Sequence, residues 1–354
     1  MSRARDFADL AGSADAGGIT GRNLVINGAM QVAQRSTSVA SLSSTATYST
    51  CDRWEVQYGS SGTFTESQST TAPSGFSNSL KLDCTTADAS PNYLVIMQRI
   101  EGQNLQSLKK GTSAAESTTL SFYVRSSKTG TYQVNLLDGD NTRIIGATYT
   151  ISSANTWEYK SITFAGDTTG TLDNDNNNSL QVEWWLASGS TYNSGAVPTA
   201  WEAMANGDRA AGLNVAIGAS TSDDFHLAGV QLELGDVATP FEHRSYGDEL
   251  HRSQRYFFMP SDDDRPMFAF QGPVDAQVWW QFPFPTQMRS LPAATVFGDD
   301  SKGQQGKAKD GNNADFETVN TSNYSTLTVG KILHTVDTQG ANYSIRRAEF
   351  DAEL

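Results

Sequence analysis

The sequence is dominated by short runs in which apolar and polar residues alternate, separated by clusters of turn-forming residues. In residues 118–127, for example, Leu120, Phe122 and Val124 fall on one face of an extended chain. Because the side chains of a β-strand point alternately to opposite faces, this period of two predicts strands with one buried face. The pattern recurs in residues 80–85, 94–99, 131–138, 158–164 and 179–187. The chain is therefore predicted to be all-β.

Composition favours the same fold class. Hydrophobic residues make up only 38 % of the 354 residues, and the mean hydropathy is −0.43. Sandwiches and barrels, whose strands keep one solvated face, suit so sparse a core better than a doubly wound α/β fold does. The chain is long for one ordinary domain and comfortable for two.

Two of the alternating runs, residues 118–127 and 131–138, are separated only by a few turn-forming residues that end in Gly130. So short a connection between two such runs is typical of a tight turn. The sequence therefore predicts that the two runs pair as an antiparallel hairpin.

The run 224–235 changes its alternation partway along. Its apolar residues up to Leu227 stand at odd-numbered positions, and those from Val230 onward stand at even-numbered positions. A continuous strand cannot bury both sets on one face, so the change predicts a β-bulge near Ala228 and Gly229. Regular short strands with this punctuation favour a sandwich of the jelly-roll kind.

The chain separates into four predicted regions. The connector between the two β regions, YGDELHRSQ, carries Asp248 and Glu249 at its start and Arg252 near its end, as a helix dipole favours. The predicted regions are an attachment segment with a flexible joint (1–21), a jelly-roll sandwich (22–245), a helical connector (246–254) and a smaller C-terminal β domain (255–354).

The first region carries apolar residues at helical spacing after a candidate N-cap, Ser2. A helix this short is marginal in water, so its apolar side is expected to dock on copies of itself or on a neighbouring component. The alternative is a frayed tail. The Gly-rich residues 12–21 are typical of a flexible joint. The predicted attachment residues are Ala4, Phe7, Ala8 and Leu10.

Charge and segment content argue against several classes of function. The net charge of −14 repels phosphate backbones and anionic lipid, so binding of nucleic acid or membrane surfaces is not expected. No apolar run approaches the roughly 20 residues that span a bilayer. The N-terminus lacks an apolar segment typical of secretory signals. Cys51 and Cys84 show no metal-ligand spacing and are interpreted as small buried hydrophobes, not as a disulfide.

No catalytic or metal motif stands out. The four histidines form no metalloprotease helix, and nucleophile-elbow and phosphate-loop motifs are absent. Carboxylate pairs for glycoside hydrolysis meet only in the fold, so that alternative stays open. Residues 173–178 offer oxygen ligands at alternate positions, but Asn178 stands where an EF-hand needs glycine, and a plain turn is favoured. We predict a non-enzymatic protein without cofactor or metal.

Four aromatic residues are candidate ligand contacts, because glycan binding to a sandwich relies on aromatic faces that stack against sugar C–H faces. Tyr192 and Trp201 lie in loop-like sequence. Trp279 and Trp280 are adjacent in a predicted strand and point to opposite faces, so at least one can be exposed. The alternative, that these side chains fill core or inter-subunit space, is the more common use of such residues.

Several longer stretches resemble a family of bacteriophage tail-fibre and related virion proteins, especially those of marine phages. The most specific stretches are RNLVINGAMQVAQR at 22–35, DRW at 52–54 and GVQLELGDVATPFEHR at 229–244. Shorter similar stretches lie at 2–10, 98–102, 119–130, 154–157, 254–256, 284–292 and 351–354.

The resemblance implies a carbohydrate-binding-module-like jelly roll followed by a smaller β domain, assembled as a homotrimer with the N-terminus toward the virion. It assigns no catalytic residue. It implies a tail fibre, made in the host cytoplasm and located in the phage tail, that contacts a host glycan or another receptor. The alternatives are an adaptor that binds only other virion proteins, a polysaccharide depolymerase, and the binding module of a secreted enzyme.

Overall fold

The computed structural model describes most of the first 260 residues and shorter stretches of the remainder. The predicted attachment residues Ala4, Phe7, Ala8 and Leu10 lie outside the described residues. The chain divides into two compact units: unit 1 ends at Tyr246 and also takes Leu354, and unit 2 runs from Gly247 to Glu353. The described residues are 21–43, 46–59, 61–260, 267–268, 270–271, 277–297, 305, 307–310, 316–318, 321–323, 326–335, 343–345 and 347–354.

The described part of unit 1 forms two antiparallel sheets. The six-stranded sheet has the order β1-β4-β5-β13-β7-β10 and the seven-stranded sheet the order β12-β9-β8-β11-β6-β3-β2. Their strands are β1 (Ser38–Leu42), β2 (Ala46–Thr47), β3 (Glu55–Gly59), β4 (Thr63–Ser69), β5 (Ser79–Thr86), β6 (Tyr93–Glu101), β7 (Thr118–Ser126), β8 (Gly130–Asp138), β9 (Arg143–Ile151), β10 (Glu158–Phe164), β11 (Asn178–Ser188), β12 (Glu202–Ala203) and β13 (Asp224–Leu234).

Short helices lie in the connections of unit 1. The α-helix α1 (Ser190–Asn193) follows β11. Single 3-10 turns occur at Gly102–Asn104, Gln106–Leu108 and Asn206–Asp208. No helix among the described residues is long and apolar enough to cross a membrane.

The core of unit 1 lies between the two sheets and is built from the alternating apolar residues. Leu120, Phe122 and Val124 of β7 are fully buried. The ring of Trp184, from β11 in the other sheet, lies 5.6 Å from that of Phe122 and 5.6 Å from that of Trp54. These contacts join the two sheets, so the predicted all-β, jelly-roll-like sandwich is confirmed.

The predicted hairpin of residues 118–138 is wrong. Strand β7 pairs with β10 and β13, whereas β8 pairs with β9 and β11 in the other sheet. The connection crosses between the sheets, and the Tyr132 hydroxyl, which donates to the Lys128 carbonyl at 2.8 Å, helps to hold it. Alternation shows which face of a strand is buried, but it does not show which strand is its partner. Two strands that pack against each other from opposite sheets have the same alternation as two strands that pair within one sheet.

The predicted bulge in β13 is confirmed. Gly229 has a φ of +57°, and the pairing of β13 with β7 shifts register between Ala228 and Gln231. As a result Leu227 before the bulge and Val230 after it both point into the core and are fully buried.

A non-strand segment near the N-terminus completes the edge of β13. Strand β5 pairs with β13 only as far as Leu227. Beyond that point the Leu24 amide donates to the Leu232 carbonyl at 2.8 Å, and the Asn23 side chain donates to the Val230 carbonyl at 3.0 Å. The Asn23 side-chain oxygen accepts from the Leu232 amide at 3.1 Å. Backbone groups that would otherwise be buried without partners are thereby satisfied.

Glu66 places a carboxyl group inside the sandwich. It is fully buried and accepts hydrogen bonds from the Thr50 hydroxyl at 2.7 Å and the Tyr58 hydroxyl at 3.2 Å. Burial raises the pKa of Glu66 to about 7 even though both hydrogen bonds favour its ionised form. Cys51 and Cys84 are free and buried, and burial raises the pKa of each thiol.

Unit 2 begins with helix α2 (Tyr246–Gln254), whose first residue belongs to unit 1 and whose bounds are those that the sequence predicted. Among the described residues its core contains Trp280, Met288, Ile332 and Phe350. The described strands of this unit form three sheets, of orders β14-β24-β18, β15-β23-β19-β20 and β16-β17-β22-β21. They are β14 (Phe257–Phe258), β15 (Met267–Phe268), β16 (Phe270–Gln271), β17 (Gln277–Pro283), β18 (Ala293–Phe297), β19 (Lys307–Asp310), β20 (Phe316–Thr318), β21 (Thr321–Asn323), β22 (Val329–Thr335), β23 (Tyr343–Ile345) and β24 (Arg347–Asp351).

We predict that Gly229→Ala destabilises unit 1 by about 2–4 kcal/mol in urea unfolding. A Cβ at this position would lie 2.6 Å from the Phe76 ring, in a left-handed backbone conformation. Gly235→Ala is the matched control, because Gly235 has a φ of +103° but nothing within 4 Å of an added Cβ. The control should lose about 1 kcal/mol. Equal losses in the two variants would contradict the steric account.

We predict that Glu66→Gln flattens the pH dependence of stability between pH 4.5 and about 7. Because the folded-state pKa is raised, the folded state keeps the proton to higher pH than the unfolded state does, and the contribution of Glu66 to stability falls by roughly 3 kcal/mol as pH rises through this window. Urea unfolding across this range measures it. The half-exposed Glu116, paired with Lys109, supplies the control Glu116→Gln. Equal pH slopes in the wild type and Glu66→Gln across this range would refute the role of Glu66.

Candidate functional site

Tyr192, predicted as a ligand contact, lies in α1 against the outer face of the seven-stranded sheet. Its ring packs 5.3 Å from that of Tyr93 and 5.0 Å from that of Trp185. Tyr93 and Tyr192 are half-buried, whereas Trp185 is buried beneath them. We call these three residues the tyrosine ledge. It presents two partly exposed rings on a fixed aromatic base.

An ion pair holds the ledge in place. The Arg209 guanidinium lies 5.0 Å from the centre of the Trp185 ring and 5.8 Å from that of Tyr192. It pairs with the fully buried Glu183 at 2.5 Å, and the Trp185 indole donates to the same carboxylate at 3.0 Å. Because a buried charge is stable only when paired and hydrogen-bonded, Arg209 and Glu183 fix each other and the rings between them.

The sheet beneath the ledge is covered by the chain itself. The Gln133 side chain donates to the Asp208 carbonyl and accepts from the Gly212 amide, both at 2.8 Å. The Asn135 side chain donates to the Arg209 carbonyl at 2.7 Å. These polar side chains of β8 hold residues 206–212 on the outer face, so the ledge rests on an anchored segment.

Trp201 is one of the residues that line a small pocket at one end of the sandwich. It is half-buried, and its indole donates to the Ala165 carbonyl at 2.7 Å. The Lys110 ammonium group lies 4.7 Å from the centre of its ring. These contacts leave Trp201 less of its surface for a ligand than the loop-like sequence indicated.

Buried charges surround the Trp201 pocket. The Lys110 ammonium group contacts the carboxylates of Asp138 and, at 2.9 Å, Asp167. Arg143 pairs with Asp167 at 2.7 Å and donates to the Trp201 carbonyl at 3.1 Å. Burial opposes ionisation of Asp167, but the hydrogen bonds from Arg143 and Lys110 hold its pKa at about 2. Two cations and two anions balance here, which favours a structural role for the cluster.

The remaining predicted ligand contacts lie in β17 of unit 2. Trp280 is 1 % exposed and packs in the core of that unit, the alternative that the sequence left open. Its ring is therefore not a surface for a ligand in this fold. The side chain of Trp279 lies outside the described residues.

The other sequence candidates are explained by local structure. Most of the run 173–178 forms a bend at residues 174–177, before β11 begins at Asn178, and in it the Asp175 carboxylate accepts from the Asn177 amide at 2.9 Å. Within the described ranges no group of three or more His, Cys, Asp or Glu residues could hold a metal ion. Glu242 accepts from the Asn23 amide at 2.7 Å, and Arg244 donates to the Val25 carbonyl at 3.1 Å, so both hold the segment that completes β13.

Sequence reasoning missed Tyr93, Trp185 and Arg209. A signal for Trp185 was present, since Trp184 and Trp185 are adjacent in a strand and cannot both enter the core. Tyr93 and Arg209 carried no comparable signal, because they reach Tyr192 only through pairing between distant segments.

Comparisons with known proteins place the chain near no family. No protein-family model matches it, and no curated protein matches it either. The solved structures to which it is similar include the enzymatically active domain of tailspike protein 4 from bacteriophage CBA120, at 12 % identity and a TM-score of 0.31, covering 60 % of this chain. The chain spans 21 % of that protein's length.

Two carbohydrate-binding modules are also similar. A family 11 module from Clostridium thermocellum, in complex with a mixed-linked tetrasaccharide, has 10 % identity and a TM-score of 0.29, covering 53 % of this chain and 91 % of that one. The N-terminal cellulose-binding domain of a Cellulomonas fimi β-1,4-glucanase has 13 % identity and a TM-score of 0.28, covering 52 % and 90 %. Likenesses this distant carry no inference about what this chain binds.

We predict that Asp167→Asn lowers the stability of the fold at neutral pH but not at about pH 2, where Asp167 of the wild type is itself protonated. Because the folded-state pKa is depressed, ionised Asp167 stabilises the fold above pH 3.8, and its contribution of about 2 kcal/mol disappears as pH falls toward 2. Urea unfolding from pH 2 to 7 should show a variant that is less stable at neutral pH and flatter in acid. Asp83→Asn, at a half-exposed pair with Lys81, should change stability by less than about 0.5 kcal/mol. Similar losses in both variants would contradict the buried network.

Proposed function

We propose that this chain is a non-catalytic structural protein of a bacteriophage particle, a tail fibre that contacts a glycan on the host surface. The phage assignment is supported by the resemblance of residues 22–35 and 229–244 to virion proteins. The glycan contact is supported by the tyrosine ledge, on which Tyr93 and Tyr192 are half-exposed over a buried tryptophan.

The ledge suits a sugar for physical reasons. A tyrosine offers an apolar ring to the C–H face of a pyranose and a hydroxyl to its polar edge. The rings are held by Trp185 and Arg209 before any ligand arrives, so binding costs less conformational entropy than it would on a mobile loop. Arg209 is already paired with Glu183, which favours an uncharged ligand over an anionic one.

The assembly that we propose is a homotrimer attached to the virion through residues 1–21, with the fibre located in the phage tail. Its support is the resemblance together with the apolar spacing of Ala4, Phe7 and Ala8. An attachment segment before an anchored sandwich would let the fibre reach the host while its base stays fixed.

The test combines the solution mass of the purified full chain, by light scattering, with its binding to host cells. We expect a trimer that binds cells. Tyr192→Ala should weaken binding about tenfold, as loss of one aromatic contact would, while Tyr192→Phe keeps most of it. Tyr246→Ala removes a more exposed tyrosine outside the ledge, at 57 % exposure, and is the control for loss of a surface tyrosine.

Three results would contradict the proposal. A monomer that ignores host cells would favour an adaptor that binds only virion proteins. Release of reducing sugar from host polysaccharide would favour a depolymerase. Equal binding by Tyr192→Ala and the wild type would remove the ledge from the site.

A further inference from the structure

A row of aromatic rings lies on the outer face of the six-stranded sheet, on the side of the sandwich opposite the tyrosine ledge. Tyr159 packs 5.0 Å from Tyr123, and Tyr123 packs 5.6 Å from Phe76. Phe76 in turn contacts Phe241 at 4.9 Å and His243 at 5.2 Å, measured between ring centres. We call these five residues the aromatic stripe. None of them was predicted from the sequence as a ligand contact.

Separate parts of the chain assemble the stripe. Tyr159 and Tyr123 are direct cross-strand partners in β10 and β7. Phe76 comes from the connection between β4 and β5, and Phe241 and His243 from the segment after β13. An added Cβ on Gly229 would lie 2.6 Å from the Phe76 ring and 3.0 Å from that of Tyr123, so the bulge glycine lets these rings rest on the backbone.

The stripe packs against the six-stranded sheet on one side and is partly exposed to solvent on the other. Its ends are the most accessible, since Tyr159 is 48 % exposed and His243 is also exposed. Tyr123, Phe76 and Phe241 between them are half-buried. An internal core would close all five rings from solvent, whereas this row keeps a continuous partly exposed edge.

Three ion pairs lie beside the stripe. Arg125 pairs with Asp224 at 3.3 Å, and Lys81 pairs with Asp83 at 2.9 Å. Near its other end, Arg244 pairs with Glu242 at 3.3 Å. The stripe is thus flanked by ion pairs on a chain whose net charge is −14. An aromatic surface flanked by paired charges complements an uncharged ligand that carries both C–H faces and hydroxyl groups.

We propose that the aromatic stripe is a second glycan-binding site, which takes a run of uncharged pyranose residues in a linear chain. This inference rests on the proposed glycan contact and adds a site and a ligand class to it. The two most accessible rings, Tyr159 and His243, lie at opposite ends of this row of contacts. A ligand that contacts both must therefore be a chain of sugars and not a single one.

The test is titration of the full chain with cellohexaose, laminarihexaose and mannohexaose, followed by saturation-transfer NMR and calorimetry, with hexagalacturonate as the acidic comparison. We expect binding to at least one neutral hexaose. Tyr159→Ala should weaken it about tenfold, whereas Tyr159→Phe, which keeps the ring, should stay within about threefold of wild type. His243→Ala, at the exposed opposite end, gives a second variant should Tyr159→Ala unfold.

Several outcomes would contradict the proposal that the aromatic stripe binds glycan. They are no binding to any neutral hexaose, stronger binding to hexagalacturonate, and unchanged affinity in both Tyr159→Ala and His243→Ala. A change of solution mass in Tyr159→Ala would show that the stripe is an interface between copies. Tyr192→Ala separates the two proposals: if it abolishes binding to host cells while Tyr159→Ala leaves hexaose binding unchanged, the tyrosine ledge stands and the stripe falls.

Discussion

The change of face in β13 is the constraint on which unit 1 depends. This strand lies between β5 and β7 in the six-stranded sheet and buries apolar residues on both sides of Gly229. The bulge brings both sets to the core, but it leaves the second half of the strand without β5 as a partner. Asn23 and Leu24 supply the missing hydrogen bonds, and Glu242 and Arg244 hold their segment. The bulge in β13 thus explains the structural roles of four residues from distant parts of the chain, Asn23, Leu24, Glu242 and Arg244.

The features that the sequence predicted correctly are local. The strands, the bulge at Gly229 and helix α2 follow from spacing within a few residues, because alternation, parity and end charges are local properties. The partner of β7 was predicted wrongly, because alternation is the same in strands that pair within one sheet and in strands that pack against each other from opposite sheets. Trp185 could have been recognised beside Trp184. Tyr93, Arg209 and the aromatic stripe could not, because their contacts join segments that only the fold brings together.

Buried polar side chains help to hold the parts of the sandwich in position, alongside its apolar core. With hydrophobic residues at 38 %, the sandwich also buries charges, and those of Glu183 and Asp167 are paired and hydrogen-bonded. Such pairs add little net stability compared with apolar packing, but breaking one leaves a costly unpaired charge. They therefore fix geometry more than they raise stability. Tyr192 and Trp201, both beside such pairs, are accordingly held by several contacts although each is half-exposed.

The two aromatic surfaces of unit 1 lie on opposite outer faces of the sandwich, so one straight sugar chain cannot occupy both. Each alone offers only a few partly exposed rings, so contact with a sugar at either surface is expected to be weak. Linked sites compensate for weak affinity, because after one binds, the second meets its ligand at a high effective concentration. A fibre with a ledge and a stripe on every copy would present such pairs of sites to a dense layer of surface glycan. If both surfaces bind glycan as proposed, adhesion would rest on many reversible contacts and not on one tight pocket. The pocket lined by Trp201 is small and contains the Lys110–Asp167 ion pair.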